Sequence, residues 1–161
     1  VIQYSRAIEN ELLVKIFLPY HANFINENKD LDYMIRPKKE FISELNSDKR
    51  RKINFDLKYF KNHLEKDNNK YTLGTMLEIL SLVQKKKYSF THTMLLQDFR
   101  NFTLKKIDVF SNKELIENLK KLNKNFRVKS AHPNLLAVGE SDEFYKLIKK
   151  IFNDFIDSIK M

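Results

Sequence analysis

No cysteine occurs among the 161 residues, so disulfide frameworks, thiolate zinc sites and thiol nucleophiles are excluded, and the composition suits a reducing compartment. Only two glycines (Gly74, Gly139) and three prolines (Pro19, Pro37, Pro133) punctuate the chain. That is too few turn formers for the many short hairpins of an all-β fold, and it implies few, long elements. Neither glycine begins a GxxxxGK or GxGxxG phosphate loop, which argues against nucleotide hydrolysis, and no nucleophile elbow is present. No run reaches the roughly 18 uncharged apolar residues of a membrane span, and Arg6, Glu9 and Glu11 interrupt any signal-peptide pattern. A soluble, cytoplasmic protein with no membrane partner is expected. Val1 in place of an initiating Met reads as a piece excised from a longer protein, with a further domain or protein partner elsewhere.

What is present in excess is positive charge: 30 Lys and Arg against 21 Asp and Glu, a net charge of +9. Such a balance attracts polyanions, RNA or DNA, through steering and counterion release. Abundant lysines also solvate helix faces, so charge alone leaves both uses open. At this length one domain with a self-sufficient core is expected, spanning 1–161, since folding buries roughly 70% of the surface that an unfolded chain exposes.

Apolar periodicity gives the elements. Ile8, Leu12, Leu13, Ile16 and Phe17 predict a helix from Ile2 to about Glu27, kinked or broken by Pro19. After Pro37 comes a second apolar series, Phe41, Ile42 and Leu45. The cluster Asp48, Lys49, Arg50, Arg51, Lys52 reads as a solvated helix start. Ile53, Leu57, Phe60 and Leu64 predict a helix of about fifteen residues before a polar loop at 66–70. Thr72 is the expected N-cap of a helix with Leu73, Met76, Leu77, Leu80 and Val83, ending in Lys85, Lys86 and Lys87 where cations favour the helix terminus. A further helix is expected over 91–110, with Leu95, Phe99, Phe102 and Ile107 in register. Ser111 and Glu114 form a capping-box pattern before Leu115, Leu119 and Leu122. Ser141 opens a last amphipathic helix with Phe144, Leu147, Ile148, Ile151, Phe155 and Ile159. The 13 phenylalanines fall mostly on these stripes and read as core. The expected fold is all-α, a single helical bundle of about six or seven helices.

Chemistry-bearing residues are sparse. The histidines stand at positions 21, 63, 92 and 132, with no pair at four-residue spacing and no HExxH, so no metal is expected even with Glu9 and Glu11 near His21. The segment Phe126-Arg127-Val128-Lys129-Ser130-Ala131-His132-Pro133-Asn134 is different, lying between two predicted helices and ahead of the last one. Its Arg-x4-His spacing in an Ala-His-Pro context resembles the RxxxxH motif of HEPN domains, a superfamily of small helical bundles. The order of elements around it is similar to the C-terminal half of that family's plan. The opening Tyr4-Ser5-Arg6-Ala7-Ile8-Glu9-Asn10-Glu11-Leu12-Leu13 also looks like the first helix of some members.

The resemblance implies metal-independent RNA cleavage by a homodimer, with Arg127 and His132 as the catalytic pair facing a symmetry mate, without a cofactor, in a phage-defence or toxin setting. The chemistry suits the residues. A histidine with an unperturbed pKa of about 6.5 moves protons at neutral pH, and paired guanidinium N–H donors neutralise charge growing on phosphoryl oxygens. Five residues apart on a regular helix point about 140° away from each other. The helix must therefore bend or end between Arg127 and His132, and Pro133 disfavours the α region at His132. Lys124 and Lys129 fit an RNA-binding rim.

Other readings of the same residues stand beside this one. His132 suits a terminal cap on carbonyls ahead of Pro133, and Arg127 an ion pair with a neighbouring helix. Val128 occupies a position usually polar in the family, as in a member kept for folding, dimerisation or binding. The alternatives are a non-catalytic dimerisation or docking module of a larger protein, and nucleic-acid binding without chemistry.

Overall fold

The computed structural model describes residues 2–37, 47–84, 93–108, 114–124 and 138–159. Helices account for almost all of them: α1 (Ile2–Leu12), a π-helical turn (Leu13–Phe17), α2 (Leu18–Asn26), α3 (Leu31–Met34), α4 (Ser47–Glu65), α5 (Leu73–Gln84), α6 (Met94–Leu104), α7 (Leu115–Leu122) and α8 (Val138–Ser158). With the unbroken run 2–26 counted as one, the described residues form an all-α bundle of seven helices. Extended pairing among them is limited to two isolated antiparallel bridges, Pro37 with Thr93 and Ile107 with Ile159.

Pro19 neither breaks nor ends the first helix. A proline there cannot donate to the carbonyl four residues back, and its ring would crowd that carbonyl. The chain answers by widening just before it: the Leu18 N–H donates to the Leu13 carbonyl, and Pro19 falls in the first turn of α2, where no such bond is required. Ile8, Leu12, Ile16, Phe17, Tyr20 and Phe24 thus stay on one buried face through the turn.

α5 is the centre. Leu73, Met76, Leu77, Ile79, Leu80, Leu82 and Val83 are all buried, over more than half of the helix circumference, and only the side that carries Glu78 faces solvent. It packs against α1, α4, α6 and α7; α8 closes the bundle on α1 and α7. Its N-terminus is held twice: Thr72 Oγ1 accepts from the Thr75 N–H at 3.3 Å, and the Glu9 carboxylate, from α1, accepts from the Leu73 N–H at 2.8 Å. The expected cap at Thr72 is present, but a carboxylate from another helix shares its work.

Several boundaries differ from expectation. α3 has no apolar repeat and forms because Asp30 caps it, accepting from the Tyr33 N–H at 3.1 Å. α4 takes the charged cluster and the apolar stripe into one helix of 19 residues. α6, capped by Thr93, ends at Leu104 instead of 110. Beyond it Ile107 is still buried, because the chain leaves the helix to run beside the end of α8, where the Asp108 N–H donates to the Ser158 carbonyl at 2.8 Å. Glu114, expected in the first turn of α7, stands instead at its N-cap position, where its side chain makes no capping bond. α8 starts three residues before Ser141. Phe41, Ile42 and Leu45, the lysines at 85–87 and Ser111 lie outside the described residues.

Candidate functional site

Arg127, His132 and Lys129 lie outside the described residues, so only their frame is defined. That frame is α7 and α8, which pack against one another. α7 buries Leu115, Ile116, Leu119 and Leu122 and turns Lys120 outward to Glu78 of α5 at 2.8 Å. α8 buries Ile148, Ile151 and Phe155. Lys124, just past α7, is exposed.

Two polar clusters are fully described. The first centres on His21, only 4% exposed. Its Nε2 lies 2.8 Å from Asp67 Oδ1 and its Nδ1 2.9 Å from the Tyr71 hydroxyl. An ionised carboxylate only accepts, so the neutral ring carries its hydrogen on Nε2 and Nδ1 accepts from Tyr71. His63 stacks on the other side of Tyr71, with centroids 4.1 Å apart, and its Nδ1–H donates to the Asn68 carbonyl at 2.6 Å. Asp67 adopts a positive φ of 47°, which folds the loop after α4 back onto α2. Both ring nitrogens of the buried His21 and the Tyr71 hydroxyl have partners inside the protein, the mark of a loop anchor. His21→Ala should leave the buried Tyr71 hydroxyl unpaired and cost about 1–3 kcal/mol. Urea unfolding would show it as a lower midpoint at unchanged slope; an unshifted midpoint would deny the anchor.

The second cluster ties α2 to α6. The Tyr20 hydroxyl donates to Asp98 Oδ2 at 3.0 Å, and Lys29 Nζ donates to the same oxygen at 2.7 Å. Burial, then the charge of Asp98 and the hydrogen bond to it, raise the Tyr20 hydroxyl well above the ordinary tyrosine range. Burial followed by the charge of Asp67 raises Tyr71. Burial alone would lower the Lys29 ammonium, but hydrogen bonds to Asp98 and Glu27 outweigh it and leave the group raised. Above pH about 10 the unfolded chain sheds protons that the folded chain keeps, so unfolding becomes easier as pH rises. The expected loss is about 1.4 kcal/mol per pH unit for each tyrosine, with no effect of these groups below their unfolded values. Denaturant titrations at stepped alkaline pH would show it, and Tyr20→Phe should make the decline shallower. A flat stability profile through pH about 11 would contradict the assignment.

Glu9, Glu11 and His21, the nearest approach to a ligand set in the sequence, go to three separate partners: the Leu73 N–H, Lys15 and the Asp67–Tyr71 pair. Among the described residues no three His, Asp or Glu side chains group as metal ligands, and no helix is long and apolar enough to cross a membrane.

The third feature is the outer face of α4. Leu57, Phe60 and Leu64 are buried, whereas Phe55 and Tyr59 are 67% and 54% exposed. At about 100° per residue Phe55 points about 170° and Tyr59 about 130° from the centre of the buried stripe. Beside Phe55 a shallow hollow of about 470 Å³ is lined also by Ile35, Leu57, Lys58, Lys61 and Asn62. Assigning the phenylalanines to the core missed Phe55, although its sequence register already placed it off the stripe. The partners of His21 and Tyr20 had no such signal, because Asp67 and Asp98 lie 46 and 78 residues away from them. Compared with known proteins, the chain matches no family model, no curated protein and no solved structure.

Proposed function

We propose that the chain is a HEPN-like RNA-binding bundle that dimerises and cleaves RNA without a metal, with His132 moving protons and Arg127 stabilising the phosphate. The observation that carries the reading is the Arg127–His132 spacing in its Ala-His-Pro context, on the stretch of chain that joins two packed amphipathic helices, α7 and α8. The net charge of +9 supports a polyanionic substrate. In the reaction the RNA 2′-oxygen attacks the adjacent phosphorus as its proton is removed, and the 5′-oxygen leaves with a proton returned to it. The products are a 2′,3′-cyclic phosphate and a 5′-hydroxyl. Two proton transfers and one charged phosphoryl centre need a base, an acid and a cationic clamp, and two copies of the pair across a dimer provide them.

The test is cleavage of RNA by purified protein in excess EDTA, beside His132→Ala and Arg127→Ala variants whose folding is verified by circular dichroism. Cleavage by the parent that both variants lose is expected. No cleavage, or cleavage that the variants retain, would overturn the catalytic reading. The second reading, a non-catalytic module for dimerisation or docking in a larger protein, draws on the exposed Phe55 and Tyr59.

A further inference from the structure

We propose that the outer face of α4 is a stacking platform for single-stranded RNA, in which Phe55 and Tyr59 each receive a base and Lys58 and Lys61 contact the phosphates. The inference rests on the RNA-binding reading above and names where the strand lies. A single exposed apolar side chain is ordinary and requires no explanation. Here two aromatic rings stand one helical turn apart on the face away from the buried stripe, with the exposed Lys58 to one side of them. A hollow reaches from Phe55 past Lys58 and Lys61 to Ile35.

The spacing selects the strand. Residues four apart on a helix are separated by about 6 Å along the axis, wider than the ~3.4 Å step of stacked bases in a duplex strand. Each ring therefore suits a base already splayed from its neighbours, which a single strand offers and a duplex does not. Charge selects a polyanion over an apolar protein surface. The α4 sequence carries Lys49, Arg50, Arg51, Lys52, Lys58 and Lys61 against Asp48, Asp56 and Glu65. Arg51 and Lys52 precede Phe55 by one helical turn in the sequence, so the basic run and the rings follow one another along the same helix. The face is separate from Arg127 and His132 in sequence, so binding and cleavage are separable by mutation.

The experiment is fluorescence anisotropy with a fluorescein-labelled single-stranded oligoribonucleotide of mixed sequence. Its 2′-oxygens are methylated so that it binds without being cleaved. Phe55→Ala with Tyr59→Ala should weaken binding about a hundredfold, tenfold for each ring, without altering its salt dependence. Lys58→Ala with Lys61→Ala should instead flatten the slope of log affinity against log salt by about 0.7 for each lysine removed. The chain contains no tryptophan, so Tyr59→Trp supplies a unique reporter whose fluorescence stacking bases should quench. If the parent binds RNA and the double-ring variant binds it equally, or if the Tyr59→Trp reporter stays unquenched at saturating RNA, the platform is wrong and the RNA-binding reading survives. Loss of the rings that splits a dimer while RNA affinity stays constant would assign the face to protein contact and also overturn the platform. A parent with no affinity for the single strand at low salt would overturn both.

Discussion

Phe99→Ala is expected to lower the unfolding free energy by about 3–5 kcal/mol, a large fraction of the roughly 5–15 kcal/mol by which domains are stable. Phe99 is fully buried in α6 and touches rings from three other segments: Phe17 at 5.2 Å, Tyr20 at 5.0 Å and Phe60 at 5.0 Å between centroids. The Tyr20 and Phe60 contacts are edge-to-face, which places the positive ring edge of one against the negative face of the other. Truncation to alanine removes all three ring pairs and leaves a cavity whose walls are held by separate helices, so relaxation recovers little. The substitution also withdraws a packing neighbour of Tyr20, the residue whose hydroxyl ties α2 to α6 through Asp98. The comparison that gives the number meaning is Phe55→Ala, the same chemical change at an exposed position of α4, which should lie within about 0.5 kcal/mol of the parent. Equilibrium unfolding in urea measures both. Equal losses at the two positions would contradict the placement of the core.

The helices were legible in the sequence wherever apolar residues recur on one face. Leu57, Phe60 and Leu64, or Ile148, Ile151 and Phe155, leave no other periodic reading, and all six are buried. Element ends were less legible, because they are decided by contacts distant in the chain. Ile107 keeps the helical register of α6 yet lies beyond its end, since pairing with Ile159 draws the chain away. α3 escaped notice because a single cap at Asp30 forms it, with no repeat to read. Pro19 suggested a break, and the π turn at Leu13–Phe17 shows how a helix passes a proline by shifting its bonding one residue. The His21 anchor was out of reach for a different reason: a histidine on an apolar face gives no hint of which carboxylate will meet it. Phe55 and Tyr59 are legible in their register, off the stripe of Leu57, Phe60 and Leu64, a distinction that a count of aromatic residues hides.

The proposed cleavage site carries the other large prediction. His132→Ala should slow RNA cleavage by about 10²–10⁴-fold, the usual contribution of a positioned proton-transfer group. Arg127→Ala should cost about 10²–10³-fold, comparable to the loss of one preorganised donor to a developing anion. Arg127→Lys should recover little, because a point charge lacks the planar fork that meets two phosphoryl oxygens together. If the pair acts on one transition state, the double variant will be scarcely slower than the worse single variant, since residues that work as a unit do not contribute additively. Pro133→Ala tests the geometry on its own. Without a ring that disfavours the helical region at the residue before it, the two side chains would be free to separate toward the roughly 140° of a regular helix. Cleavage should then fall while the circular dichroism spectrum and RNA affinity hold. Single-turnover cleavage in excess EDTA, followed against pH, measures every one of these variants. A rate indifferent to Pro133→Ala would remove the argument that proline aims the histidine, and a rate indifferent to His132→Ala would leave α4 and its lysines as the part of the chain that meets RNA.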